Sequence, residues 1–445
     1  MLIRFHVSNF LSFDKEVELS MVPGKVRKPH QNHVVKSKGR HNTDILRSAI
    51  IYGANASGKS NLVKAMDFAR YMIVNGTNAK ESIPRVRFKL RNDTKELPSK
   101  FEFEFKVGEY CYVYGFELDA QRIHEEWLYE IRKTTETMLF ERKTNLLGET
   151  SVEFAIEFKN KKEEHFFEFV AMGTRANQLF LTESIERDIK YFDDIFDWFQ
   201  EKLVIIGPDS KFIPLAVIGS NQDLGDMLVN HLAKLGTGIS GFVLSDADPE
   251  KEFPRDVIEH LFKSLQEEDK ENQFTFYNSP RDERFLVAII DEELKIKKLS
   301  LRHQMSDSED DVLFGMAEES DGTRRLLDLL PSLASPKDRV FVIDELDRSL
   351  HSKLSYKLVE LFLDNANFES QLITTTHEAH LLDQNLLRRD EIWFVEKDQR
   401  GASHVYSLEE YAPRLDKDIE KGYMMGRYGA IPIFGNLDFS TQGDG

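Results

Sequence analysis

The segment Gly53-Ala-Asn-Ala-Ser-Gly58-Lys59-Ser60 constrains this chain more than any other. Two glycines with four residues between them, followed by Lys and Ser, match the spacing of a phosphate loop, which needs a strand before it and a helix after it. The flanks supply both. Ala49-Ile50-Ile51-Tyr52 is a short apolar run leading into Gly53, and Leu62, Val63, Met66, Ala69, Met72 and Ile73 recur at helical spacing behind the loop. In that setting successive backbone N–H groups and the helix N-terminus point at phosphate oxygens. Gly58 lets the backbone come close, Lys59 supplies a point charge, and the Ser60 hydroxyl can hold Mg²⁺. Asn55, Ala56, Ser57 and Asn61 complete the expected nucleotide-binding set.

A second segment, Arg339-Val-Phe-Val-Ile-Asp344-Glu345, is an apolar strand ending in two carboxylates. Ligands of open α/β sheets bind beyond the carboxyl ends of the strands, so Asp344 is expected to reach the magnesium. Glu345 is then expected to face the γ-phosphate and orient the attacking water as a general base. The plainer reading, a strand followed by acidic residues capping a helix, loses its appeal once a phosphate loop is present in the same chain. Together the two segments predict an ATPase with ATP and Mg²⁺ at its centre.

Around these motifs the periodicity changes twice. The opening Leu2 to Val7 reads as a strand, as does the run before Gly53, and from Phe101 the pattern has period two. Phe101, Phe103, Phe105 and Val107, then Tyr112 to Leu118, Phe154 to Phe158 and Phe166 to Val170, predict an antiparallel strand region. From about Asp188 to Asn272 the spacing is mainly helical, through Ile195, Trp198 and Phe199, Met227, Leu228 and Leu232, and Val257, Leu261 and Leu265. Strands return at Phe285 to Ile290 and Leu294 to Leu301, followed by a solvated acidic loop from Asp307 to Asp311. The last third alternates helices at Thr323 to Leu330, Ser352 to Leu363 and near His380 to Leu387 with strands at Arg339 to Ile343, Gln371 to Thr375 and Glu391 to Val395. That alternation predicts βα units and a largely parallel sheet.

Composition narrows the partners. With 77 acidic against 59 basic residues, a formal charge of −18 argues against a surface that coats nucleic acid indiscriminately, though it leaves room for a local basic groove. The one cysteine, Cys111, excludes an internal disulfide and a cysteine-rich zinc cage, and reads as a strand residue. No apolar run approaches the ~20 residues of a membrane span, which predicts a cytoplasmic protein.

The run Asp344-Glu-Leu-Asp347-Arg-Ser-Leu-His351 resembles the Walker B and D-loop of ABC-type ATPase heads, a group that includes the SMC and RecF proteins. Glu319-Ser320-Asp321-Gly322-Thr323-Arg324 is similar to the ABC signature, and Thr374-Thr-Thr-His377 lies where the switch histidine does. The resemblance implies an α/β fold of the ABC-type P-loop ATPase head class, with an antiparallel β region and an inserted helical lobe. It implies that Ser320, Asp321, Gly322 and Thr323 serve the nucleotide held by another subunit, with Asp347 in the D-loop and His377 beside Glu345 in catalysis. No clear Q-loop is present, and Gln178 is the best match. Expected limits are 1–180 for an N-terminal ATPase lobe, 181–280 for the helical lobe, 281–435 for a C-terminal ATPase lobe and 436–445 for a frayed tail.

The chain further resembles the RloA-like ATPases of bacterial abortive-infection and restriction-linked loci. The residues that carry this are Val7-Ser-Asn-Phe10-Leu-Ser-Phe13, Gly115-Phe-Glu-Leu, Glu125-Glu-Trp127-Leu-Tyr and Gly426-Arg427-Tyr428-Gly429-Ala430-Ile-Pro432. What it implies is a homodimer or higher homo-oligomer that closes on ATP and controls a separate RloB-like, nuclease-type effector in anti-phage defence. A RecF-like DNA-binding repair ATPase is the alternative and would need a basic face, which keeps nucleic acid open as a partner. A scaffold that barely turns over has no chemical use for Glu345. Asp246-Ala-Asp248 matches the Asp-x-Asp of a Toprim metal site, but Pro249 and its acidic neighbours predict a turn instead.

Overall fold

The computed structural model describes residues 1–24, 30–37, 43–132, 135–211, 222–267, 274–305, 310–334, 338–364, 369–411 and 418–432. Part of the acidic stretch, 307–309, and the tail 436–445 lie outside the described residues. The chain divides into two units, one of Met1–Pro208, Lys337–Leu346 and Val359–Gly445, the other of Asp209–Pro336 and Asp347–Leu358.

Among the described residues the first unit holds two large sheets, besides a two-stranded ladder of Val34–Val35 with Ile45–Leu46. In the six-stranded core sheet the order is Leu203–Ile206, Val340–Ile343, Gln371–Thr375, Ser48–Tyr52, Ile392–Lys397 and Ser403–Ser407. All neighbours are parallel except the last pair. Such central strands are covered on both faces, which is why Val340-Phe-Val-Ile and Ala49-Ile-Ile-Tyr52 read as unbroken apolar runs.

The seven-stranded sheet is antiparallel throughout, in the order Thr150–Phe154, Glu136–Thr144, Ile123–Ile131, Tyr110–Leu118, Ser99–Val107, Leu2–Ser8, Val17–Ser20. Phe101, Phe103 and Phe105 face inward, while Lys100, Glu102 and Glu104 between them stay half-buried. Phe105 stacks on Trp198 with ring centroids 4.3 Å apart, and Phe103 meets Phe199 edge-on at 5.3 Å. Met66, Ala69 and Ile73 of the helix Lys59–Asn75 belong to the same core. At roughly 1.5–3 kcal/mol for each large side chain fully buried, this core holds the phosphate-loop helix firmly. Gly115 and Trp127 are cross-strand partners, and a Cβ on Gly115 would lie 2.5 Å from the indole. The glycine is therefore the seat of the tryptophan ring.

The second unit has a five-stranded antiparallel sheet, ordered Ile239–Ala247, Glu293–Gln304, Arg284–Ile290, Phe274–Asn278, with Asp311–Gly315 also paired to Glu293–Gln304. Phe253, Leu261, Leu265, Phe285, Val287 and Ile296 form its core.

The α/β class and the antiparallel region are as expected, with local corrections. The described part of the stretch 181–280 is mainly helical, with the helices Gln222–Lys234 and Arg255–Glu267 the longest, but it also carries three strands, Leu203–Ile206, Ile239–Ala247 and Phe274–Asn278. Leu203-Val-Ile-Ile joins the core sheet, and Ile239–Ala247 is a strand of the second unit. A short apolar β-branched run has no period of its own to separate strand from helix. Phe166 to Val170, expected as a strand, lies in the helix Lys161–Gly173. Asn160 caps it by accepting from the Lys162 and Glu163 N–H groups at 3.0 and 3.1 Å, and Phe167, Val170 and Ala171 bury one face at helical spacing. The neighbouring strand ends at Phe154. No helix runs from His380 to Leu387; a single 3₁₀ turn spans Ala379–Leu381, and the Asp383 carboxylate then takes the Asn385 N–H at 2.8 Å. Such side-chain capture competes with helix formation.

Asp246 lies 3.6 Å from Lys297, and Asp248 caps the turn Pro249–Glu252 by accepting from the Glu250 N–H at 3.1 Å. Among the described residues no group of three or more His, Cys, Asp or Glu side chains could hold a metal ion, and no helix is long and apolar enough to cross a membrane.

Cys111 is 1% exposed, and burial, with a contribution from Glu104, pushes its thiol up to about 12. Because the thiolate is the reacting form, the folded protein should not react with a thiol-specific disulfide reagent near pH 8, whereas the denatured chain should titrate its single thiol. Fast labelling of the folded protein would contradict this burial.

Candidate functional site

Strand Ser48–Tyr52 delivers Gly53 to the carboxyl edge of the core sheet, and the helix starts directly after Gly58. Gly58 has φ 117°, a conformation side chains resist, and a Cβ there would lie 2.2 Å from Ser403 Oγ and 2.8 Å from Ser12 Oγ. Those two hydroxyls brace the loop from behind. Ser403 Oγ sits 2.5 Å from the Ser57 carbonyl and 2.8 Å from Ser12 Oγ, which accepts from Asn61 Nδ2 at 2.8 Å. Inside the curl, Lys59 Nζ donates to the Gly53 carbonyl at 2.7 Å and the Ala54 carbonyl at 3.2 Å. The Ser57 hydroxyl is buried without a hydrogen-bond partner, while Asn55 and Ala56 are exposed on the rim. An orphaned donor, a glycine-lined curl and a lysine resting on its own loop fit a bound polyphosphate.

Asp344 follows strand Val340–Ile343 and is 3% exposed. Its Oδ1 accepts from Ser60 Oγ at 3.2 Å and from Thr375 Oγ1 at 2.5 Å. Two hard oxygens this close suit Mg²⁺, which takes one or two protein ligands and fills its remaining positions from phosphate and water. Thr375 does more. Its Oγ1 also accepts the Glu345 N–H at 2.8 Å, and its carbonyl takes the Leu346 N–H at 3.1 Å. Strand Gln371–Thr375 lies between the Ser48–Tyr52 and Val340–Ile343 strands, so sheet order alone puts a hydroxyl where both acidic residues can use it. Glu345 is half-buried with φ 53°. A non-glycine residue pays about 1–2 kcal/mol for that conformation, and the Thr375 bonds hold the turn in it. His377 is exposed on the loop after the same strand.

Ser320 to Thr323 and Asp347 belong to the second unit, and Gln178 to the first. Ser320 caps the helix Asp321–Ala334 in the second unit, its Oγ accepting the Thr323 N–H at 3.1 Å, and Ser320 and Asp321 are exposed. Buried Glu319 meets the His303 ring nitrogen at 2.6 Å, and Arg284 Nη2 donates to Asp328 Oδ1 at 2.7 Å. Burial pushes the Asp328 carboxyl up to about 6 against the pull of Arg284. Asp347 opens the second stretch of that unit. Gln178, expected as the Q-loop residue, is a correction. It is 1% exposed, and its side-chain oxygen accepts the Thr77 N–H at 2.9 Å, just beyond the far end of the helix Lys59–Asn75. Seventeen helical residues span about 25 Å, so Gln178 secures the end of the helix that points away from the phosphate loop.

Thr375, Ser12 and Ser403 are site residues that sequence reasoning did not single out. The available signal was a threonine run closing a buried strand for Thr375, and the serine within Asn9-Phe10-Leu-Ser12 for the loop brace.

A sequence family described as "AAA domain, putative AbiEii toxin, Type IV TA system" matches residues 48–383. No curated protein matches the chain. Among solved structures, the SMC head domain from Thermotoga maritima is 13% identical, over 91% of this chain and 98% of that one, with a TM-score of 0.37. An SMC head domain with an extended coiled coil, bound to the C-terminal domain of ScpA derived from Pyrococcus furiosus, is 15% identical over 96% and 98%, with a TM-score of 0.33. The family match runs from the strand before the phosphate loop to beyond His377 and takes in well over half of the sequence. The chain therefore belongs to the AAA-domain family described as putative AbiEii toxin, Type IV TA system.

Proposed function

We propose that the protein binds Mg-ATP at the phosphate loop and hydrolyses it with Glu345 as general base. In this reading it does so as a homodimer whose closure controls a separate, nuclease-type effector, in the manner of an RloA-like defence ATPase. The observation that carries the reading is the Ser60–Asp344–Thr375–Glu345 chain of contacts beneath the glycine curl. Lys59 leaves the Gly53 and Ala54 carbonyls to meet the β- and γ-phosphates. Ser60 and Asp344 hold Mg²⁺, which supplies positive charge against the phosphate oxygens. Thr375 fixes the Glu345 backbone, so that its carboxylate can take a proton from the attacking water. His377, on the same edge of the sheet, is the second group for the γ-phosphate. The description of the family as putative AbiEii toxin, Type IV TA system, supports action alongside another gene product.

In this reading Ser320, Asp321, Gly322 and Thr323 serve the nucleotide bound by the partner copy, with Asp347 at the same junction. Two subunits related by a two-fold axis then share two sites. The test mixes Lys59→Ala chains with Ser320→Arg chains, each inactive alone. Random pairing makes half of the dimers mixed, each with one intact composite site, so about a quarter of the wild-type ATPase rate should return. No return from chains shown to exchange and pair would contradict the shared site.

A further inference from the structure

Within the second unit, the helix behind Ser320 rests on the turn that follows Glu345 in sequence. A Cβ on Gly322 would lie 2.9 Å from the main-chain oxygen of Ser349. That atom is backbone, so no side chain can be added at position 322 unless the Ser349 carbonyl moves. Ser349 already occupies the left-handed region at φ 61°. Its turn is closed by the Leu350 N–H on the Asp347 carbonyl at 3.0 Å and tied by Arg348 Nη1 to Asp209 Oδ1 at 3.0 Å.

The helix side cannot easily yield instead. Buried Glu319 is held by His303 at 2.6 Å, Arg324 Nη1 lies 3.5 Å from Asp282, and Asp328 is held by Arg284 at 2.7 Å. These anchors fall on both sides of Gly322 in sequence. Crowding at position 322 must therefore be taken up by the turn. Only Leu346, Asp347 and Arg348 separate Ser349 from Glu345, which is itself held at φ 53° by its N–H bond to Thr375.

We infer that Gly322 is a positioning residue for the Glu345 of its own chain. By seating the Ser349 carbonyl it sets the turn at residues 347–350, and through three intervening residues it sets the aim of the Glu345 carboxylate. This rests on Glu345 being the general base, and it adds an in-chain role to a glycine otherwise assigned to the partner's nucleotide. The turn thus links the residues that face the partner's ATP to the base that acts on the chain's own ATP.

Two measurements test it. In the first, Gly322→Ala chains are mixed with Lys59→Ala chains and compared with the Ser320→Arg and Lys59→Ala mixture. The intact composite site then pairs a wild-type partner signature with a Gly322→Ala chain's own Glu345, so less than a tenth of the control's recovery is expected. Recovery equal to the control would overturn the inference, because Gly322 would then act only on the partner. If the control itself recovers nothing, the shared-site reading fails, and the second measurement decides alone. There, Gly322→Ala should lower kcat at least ~10-fold while the Kd for Mg-ATP changes less than ~3-fold, and Ser349→Gly added to it should restore most of the rate by letting the carbonyl move within the turn. An unchanged kcat, or no gain from the second substitution, would overturn the inference.

Discussion

Glu345→Gln should keep Mg-ATP bound while slowing its hydrolysis by at least ~10²-fold, the usual cost of losing a positioned base. The change is nearly isosteric, and its surroundings favour a clean result. The Thr375 hydroxyl holds the backbone N–H of residue 345 rather than its carboxylate, so the turn at φ 53° stays in place when the acid becomes an amide. Asp344 keeps its own contacts to Ser60 and Thr375. What disappears is the capacity to accept a proton. Single-turnover hydrolysis measured beside nucleotide affinity separates the two steps, and a rate within ~3-fold of wild type would show that another group orients the water.

Lys59→Ala is expected to weaken Mg-ATP binding by ~10²-fold or more, about 3 kcal/mol, because it removes the charge that faces the β- and γ-phosphates. Its ammonium now sits 2.7 Å from the Gly53 carbonyl and 3.2 Å from the Ala54 carbonyl, and it is 5% exposed. The curl is also fixed by Ser12 and Ser403 from behind, so it should keep its shape without the lysine. Titration calorimetry gives the affinity, and a thermal melt within a few degrees of wild type confirms that the loop is still folded. An unchanged Kd would contradict the assignment of the phosphate loop.

The parts of this site that were legible in the sequence are those in which one local segment carries both geometry and chemistry. Gly53 to Ser60 lies between its strand and helix, and Asp344 and Glu345 close an apolar run, so nothing remote was needed to read them. Thr375 was illegible as a site residue because its role depends on strand order, which places Gln371–Thr375 between the two motif-bearing strands. Ser12 and Ser403 are further apart still, 391 residues in sequence yet 2.8 Å between hydroxyls. Gln178 failed for a related reason. Its motif-like setting says nothing of which end of the phosphate-loop helix it meets, and the fold puts it against Thr77. The helix Lys161–Gly173 was misread since its phenylalanines at 166, 167 and 169 satisfy a strand pattern as well as a helical one, and only the Asn160 cap decides. The antiparallel strands from Ser99 onward were plain because alternation of Phe with Lys and Glu leaves one face to bury.

The most direct measurement of the central claim is the native mass of the Glu345→Gln protein with Mg-ATP, since this variant should accumulate the state before hydrolysis. The account predicts a species of two 51.7 kDa chains retaining two ATP molecules, formed only when nucleotide is present. Single chains that each retain ATP, at concentrations where the nucleotide site is saturated, would contradict it.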